Sequence, residues 1–107
     1  ERVIHYTVND LSFLSTWNGV VYARNKSIIF ARGNSSIFAY EQSSVYAWDE
    51  SAVTAFDNSY IIGYDNSYII GYDKSDIAAG IRYTDSVRIL KYHASTTIKA
   101  SKNTKVY

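Results

Sequence analysis

Residues 21 to 76 read VYARNKSI, IFARGNSS, IFAYEQSS, VYAWDESA, VTAFDNSY, IIGYDNSY and IIGYDKSD, seven octads without a break. A fixed internal period sets the architecture before local propensity does, because each unit buries its apolar side only against its neighbours. The first position is always Val or Ile (Val21, Ile29, Ile37, Val45, Val53, Ile61, Ile69). The third is always Ala or Gly (Ala23, Ala31, Ala39, Ala47, Ala55, Gly63, Gly71), and the seventh is Ser throughout, from Ser27 to Ser75. Even positions vary widely, from Arg24 and Lys26 to Trp48 and Tyr60.

Strand side chains alternate between two faces, so odd and even positions look opposite ways. The small, uniform odd set suits a narrow, close-packed interior, and the bulky or charged even set must face out. The fifth position breaks the pattern, because it has odd parity yet carries Glu41, Asp49, Asp57, Asp65 and Asp73. A strand cannot bury a column of carboxylates, so the chain turns there, where Asp can accept from nearby backbone N–H groups. Each octad is therefore one short strand and one acidic corner. Two octads make a flat coil of 16 residues and three a triangular coil of 24, but inward Ala and Ser are too small to fill a triangle. The expectation is an all-β fold, a β-solenoid (β-helix) with two octads per coil and coils stacked about 4.8 Å apart.

The flanks depart from the repeat. Residues 1–20 read as an N-terminal cap: an alternating stretch from Val3 to Val8, then Asn9-Asp10 before Leu11, Phe13, Leu14 and Trp17, the pattern of an N-capped short helix. Such a cap would cover the open strand edges of a solenoid end. Residues 21–76 are the regular octads. In residues 77–107 the register slips from Ile77 to Ile89, returns in part at Ile98-Lys99-Ala100, and restarts at Val106-Tyr107, within a basic C-terminal segment.

Composition agrees with the repeat. At 107 residues the chain is one domain, with 11 Tyr, no Pro and no Cys. Pro is excluded wherever every N–H must join a ladder, and without Cys there is no disulfide or thiolate ligand. No apolar run reaches the ~18 residues of a spanning helix, so no membrane partner is expected. With no Met and a start at Glu1, the chain reads as a processed or trimmed piece.

The octads also resemble a known repeat. Written from the third position they run Ala-Phe-Asp-Asn-Ser-Tyr-Ile-Ile (55 to 62) or Ala-Trp-Asp-Glu-Ser-Ala-Val-Thr (47 to 54). This is similar to the octapeptide of bacterial ice nucleation proteins, and to the Ala-Tyr-Asp-Ser-type octads of some bacterial and phage proteins. The first resemblance implies a 16-residue solenoid coil, a tyrosine ladder used for self-association, and Thr arrays that order water. The Thr arrays are missing: the matching outward positions hold Tyr22, Phe30, Phe38, Tyr46, Thr54, Ile62 and Ile70, of which only Thr54 fits.

With alternate octads sharing a face, one face carries Phe38 in a column with Tyr22, Thr54 and Ile70, beside Arg24, Tyr40, Phe56 and Tyr72. The other carries Phe30, Tyr46 and Ile62 beside Arg32, Trp48 and Tyr64. Cross-strand aromatic pairs stabilise a sheet by roughly 0.2–1 kcal/mol each, which accounts for part of the pattern. Large exposed apolar patches also mark interaction sites, and Tyr and Trp are favoured anchors. The leading functional expectation is a homo-oligomer, or a partner-protein complex, built on these ladders. An ice-binding surface is one alternative.

Charge is uneven along the chain. Residues 41 to 76 carry a net −6 and residues 77 to 107 a net +5, within a total of +1. The corner row Glu41, Asp49, Asp57, Asp65 and Asp73 raises a second alternative, a phage-type anti-defence protein imitating nucleic acid. The basic end, with Tyr92, His93 and Tyr107 interleaved, could instead meet nucleic acid. Catalysis has no support. His5 and His93 lie far apart in the sequence, and phosphate-loop, nucleophile-elbow and metal-ligand motifs are absent. Identical settings for every corner carboxylate remove the pKa asymmetry that acid–base chemistry needs. No catalytic residue, cofactor or metal is expected.

Overall fold

A computed structural model of the protein describes residues 5–8 and 13–107. The strands in chain order are β1 (His5–Val8), β2 (Phe13–Trp17), β3 (Val20–Ala23), β4 (Ile28–Arg32), β5 (Ser36–Ala39), β6 (Ser44–Ala47), β7 (Ala52–Ala55), β8 (Tyr60–Gly63), β9 (Tyr68–Gly71), β10 (Asp76–Ala79), β11 (Arg88–Tyr92), β12 (Thr97–Ala100) and β13 (Lys105–Val106). Odd-numbered strands form one parallel sheet, β1-β3-β5-β7-β9-β11-β13. Even-numbered strands form the other, β2-β4-β6-β8-β10-β12. This is a two-sided β-solenoid. Val21 lies opposite Ile37 and Val53 opposite Ile69, so a regular coil takes 16 residues, the two-octad coil.

The interior is a filled slot between the sheets. Position one supplies Val21, Ile29, Ile37, Val45, Val53, Ile61, Ile69 and Ile77, all essentially inaccessible, and position three supplies Ala from Ala23 to Ala55. Apolar burial contributes about 25 cal/mol per Å², and the repeat spreads it evenly along the axis.

The seventh-position Ser column is fully buried. Ser27, Ser35 and Ser43 donate to the carbonyls of Arg24, Arg32 and Tyr40 at 2.6–2.7 Å, closing their own corners. The hydroxyls of Ser51, Ser59, Ser67 and Ser75 find no partner at hydrogen-bonding geometry. Ser43→Ala should therefore cost about 1 kcal/mol, the net worth of one hydrogen bond. Ser59→Ala should change stability by less than about 0.5 kcal/mol. Equal losses in paired chemical denaturation curves would show that the two hydroxyls are equivalent.

At the corners, Asn25, Glu41, Asp49, Asp57, Asp65 and Asp73 have φ between 54° and 60°. Asn and Asp tolerate this left-handed region better than other non-glycine residues. The N–H of the seventh residue donates to the carbonyl of the fourth, as from Ser59 to Phe56 at 3.2 Å. The carboxylate acts one coil further away: Asp57 Oδ2 accepts from the Glu41 N–H at 2.9 Å, and Asp73 Oδ2 from the Asp57 N–H at 3.0 Å. The acidic residue thus ties coil to coil and does not cap its own turn.

Two expectations at the flanks need correction. Phe13–Trp17 is strand β2 and not helix: Leu14 pairs with Ile29 and Thr16 with Ala31. Thr16 is buried while Ser15 and Trp17 are exposed, which is a period of two. A helix of so few residues is marginal alone, whereas pairing with β4 satisfies an open edge. Asn9, Asp10 and Leu11, the proposed start of that helix, lie outside the described residues. The register slip also begins later than Ile77. In β10, Ile77 still faces Ile61 and Ala79 faces Gly63. The break follows Gly80, where the coil lengthens so that Ile89 pairs with Ile69, twenty residues back. A bulge between Ile89 and Lys91 adds one more residue.

Candidate binding surface

Every aromatic residue singled out from the octads lies on an outward column. Tyr40, Phe56 and Tyr72 stack along the odd-strand sheet, with centroids 4.9 and 5.3 Å apart and planes within 20° of parallel. Tyr22 and Phe38 stack beside them at 5.2 Å. On the even-strand sheet, Trp48 stacks with Tyr64 at 5.1 Å and Phe30 with Tyr46 at 5.1 Å. The two columns there also touch, Phe30 and Trp48 lying 5.8 Å apart. In-register parallel pairing forces this geometry, since equivalent side chains on neighbouring strands are separated only by the strand spacing. Face-to-face stacking leaves the rings half-buried by one another, with their edges turned to solvent. Offset stacks of this kind contribute about 0.5–1.5 kcal/mol per pair beyond area burial.

Cations extend the ladders. Arg24 lies 4.6 Å from the Tyr40 centroid. Arg32 sits between Trp17 and Trp48, at 5.4 and 5.2 Å, and Arg82 lies 5.0 Å from Tyr64. His93 meets Tyr72 edge-on at 4.8 Å, and its Nδ1 accepts from the Asp73 N–H at 3.1 Å. Arg24 and Arg32 occupy the fourth octad position, so their alignment with Tyr40 and Trp48 was readable. Arg82 and His93 follow the insertion, where counting by eight fails.

The corner acids form two rows. Glu41, Asp57 and Asp73 follow the odd strands along one edge, and Asp49 and Asp65 follow the even strands along the other. Each spends a carboxylate oxygen on a backbone N–H: Glu41 on Asn25, Asp49 on Gly33, Asp57 on Glu41, Asp65 on Asp49 and Asp73 on Asp57. Asp85 continues the second row beyond the insertion, accepting from the Asp65 N–H at 2.7 Å. It is 1% exposed and also accepts from the Arg82 N–H at 2.9 Å and from the Arg82 guanidinium at 2.9 and 3.1 Å. Burial alone would raise the Asp85 pKa, but the Asp65 N–H and the Arg82 side chain and N–H together bring it below the ordinary carboxylate value. The hydrogen bond to Asp85 leads the causes that raise the Arg82 pKa, against a desolvation that lowers it.

Known families, curated proteins and solved structures are the three comparisons available to such a repeat. None of the three comparisons gives a match. The resemblance to ice-nucleation and Ala-Tyr-Asp-Ser octads therefore has the solenoid architecture behind it and no family match. Among the described residues no cluster of three His, Cys, Asp or Glu side chains is arranged to hold a metal. No helix there is long and apolar enough to cross a membrane.

Two flat outward faces remain as the candidate surface. Between Val20 and Ala79 the strands carry two charges, Arg32 and Asp76, both on the even-strand sheet, while Arg24 directly follows β3 beside the odd-strand sheet. Solvent-facing parallel sheet is ordinarily covered or interrupted by charge. Within that span the odd-strand face is the less charged of the two, whereas beyond it β11 and β13 bring Arg88, Lys91 and Lys105 to the same sheet.

Proposed function

We propose that this protein is a non-catalytic interaction module that associates with a second copy of itself through the face formed by β3, β5, β7 and β9. The observation that carries this reading is the stacked, nearly charge-free columns on that face. They run at the strand spacing through Tyr22, Phe38, Thr54 and Ile70, and through Tyr40, Phe56 and Tyr72. A surface ruled at one fixed pitch is matched in pitch by another copy of itself, whereas an unrelated partner drifts out of register within a few strands. Two copies related by a two-fold axis through the face meet column to column. The rings offer edges and not faces, so interdigitation of ladders suits them better than stacking against a planar ligand.

Light scattering across concentration and salt tests the reading. The wild-type chain should form a dimer that resists salt, because the contact is apolar. Thr54→Lys places a charge at the centre of the face without breaking a ring stack, and should give a folded monomer. Ile62→Lys, on the opposite sheet, should leave the dimer intact. A wild-type monomer at every concentration would overturn the proposal, as would a dimer that survives Thr54→Lys.

A further inference from the structure

An open cleft of about 270 Å³, lined by Asn66, Ser86, Arg88, Asn103 and Lys105, lies near the C-terminal end of the solenoid. Three of its lining residues follow the acidic edge, and the other two begin strands β11 and β13. Arg88 and Lys105 are direct partners in the parallel ladder, so two cations stand opposite each other at the strand spacing. Like charges so placed destabilise a sheet. Neither has a carboxylate partner, since the ion pairs among the described residues use Arg24, Arg32 and Arg82. Residues 86 to 107 contain five Lys or Arg and no Asp or Glu. The negative row on this edge is partly neutralised beside the cleft, because Arg82 bridges Asp65 and Asp85 at 2.7 and 2.9 Å.

The cleft also has the donors an oxyanion needs. The Arg88 guanidinium lies 4.2 Å from the Tyr68 centroid. Stacking fixes the plane of the fork and leaves its N–H edge free for bidentate contact, which suits a phosphate better than a point charge does. Among the described residues Asn66 and Ser86 make no side-chain hydrogen bond, while the Asn103 amide donates to the Tyr83 carbonyl at 2.9 Å and is thereby held in place. Two uncompensated cations, one of them stacked, with an amide and a hydroxyl alongside, form a site whose missing element is an anion.

We propose that this cleft binds a phosphate group, either as free phosphate or as a small phosphate monoester. The anion sits between Arg88 and Lys105 and relieves their mutual repulsion, with Asn66 and Ser86 donating to its remaining oxygens. The cleft lies on the same sheet as the proposed self-association face, at its end beyond β9, and the anion gives this basic end a ligand of defined chemistry.

The test is calorimetric titration of the full chain with inorganic phosphate and, separately, glycerol 3-phosphate, at constant ionic strength. Saturable one-site binding is expected. Lys105→Gln, at an exposed side chain, should weaken it about tenfold or more, as loss of a charged hydrogen bond does. Arg88→Lys keeps the charge but removes the fork, and should weaken it as well. Lys99→Gln, on the other sheet, should bind as the wild type does. A tighter monoester identifies the ligand as a phosphorylated small molecule, and equal affinities identify it as free phosphate; either result upholds the site. Absence of saturable binding, or an equal loss in Lys99→Gln, would overturn it by showing only diffuse attraction.

Discussion

Asp85→Ala is expected to lower stability by about 2–4 kcal/mol, because it leaves the N–H groups of Asp65 and Arg82 without acceptors in a buried corner. The same carboxylate holds the guanidinium of Arg82, so the substitution also leaves the cation that covers the Tyr64 end of its ladder held by Asp65 alone. The four extra residues in this coil would otherwise break the edge row, and Asp85 restores it by reaching the Asp65 N–H across the insertion. Asp85 further predicts a pH dependence. Its pKa is lower in the fold than in the unfolded chain, where Asp titrates near 3.9. The stability it contributes is therefore fully present above about pH 4 and is lost as pH falls through the lower, folded value. Thermal midpoints taken from neutral pH downward should fall more steeply below about pH 4 in the wild type than in Asp85→Asn. Parallel profiles for the two proteins would show that Asp85 is not the group responsible.

Gly63→Ala is expected to cost about 1–3 kcal/mol, the range for overpacking a closed interior. A Cβ built on Gly63 would meet Ile69 Cδ1 at 2.8 Å, Ser67 Oγ at 3.0 Å and Val87 Cγ1 at 3.1 Å. The position-three residue of one coil lies beneath the position-seven residue of the next, as where Ser43 Oγ lies 3.4 Å from the Ala23 carbonyl. In the regular octads that pair is Ala and Ser. Beyond the insertion, position seven becomes Val87, and Gly63 below it gives up its methyl to make room. Gly71 repeats the exchange beneath Thr96, whose Cγ2 would lie 2.9 Å from an added Cβ. The double variant Gly63→Ala/Val87→Ser rebuilds the regular pair. In a double-mutant cycle it should recover about 1 kcal/mol or more relative to the sum of its parts. Strictly additive losses would mean that the two positions do not share the space.

Much of the architecture was legible because the repeat reports the environment of each position seven times over. Parity placed Val21 to Ile69 inside and Tyr22 to Ile70 outside, and the acidic fifth position required a corner. The small size of Ala and Ser selected two octads per coil. Reading failed where only one copy of a pattern existed. Phe13, Leu14 and Trp17 have helical spacing, and nothing local reveals that β4 waits beside them with an unpaired edge. The pairing of Arg82 with Asp85, the edge-on contact of His93 with Tyr72 and the joining of Arg88 to Lys105 all depend on residues beyond Gly80, where an insertion and a bulge defeat counting by eight.

By itself, then, the sequence determined the coil, its corners and its outward columns, because those follow from periodicity and side-chain size. Tertiary structure alone decided which coil each corner carboxylate serves, why Gly63 and Gly71 replace Ala, and which cations come to rest side by side without a counter-charge. Each of these is a contact between residues sixteen or more positions apart, and parallel stacking fixes such contacts only once every insertion before them has been absorbed.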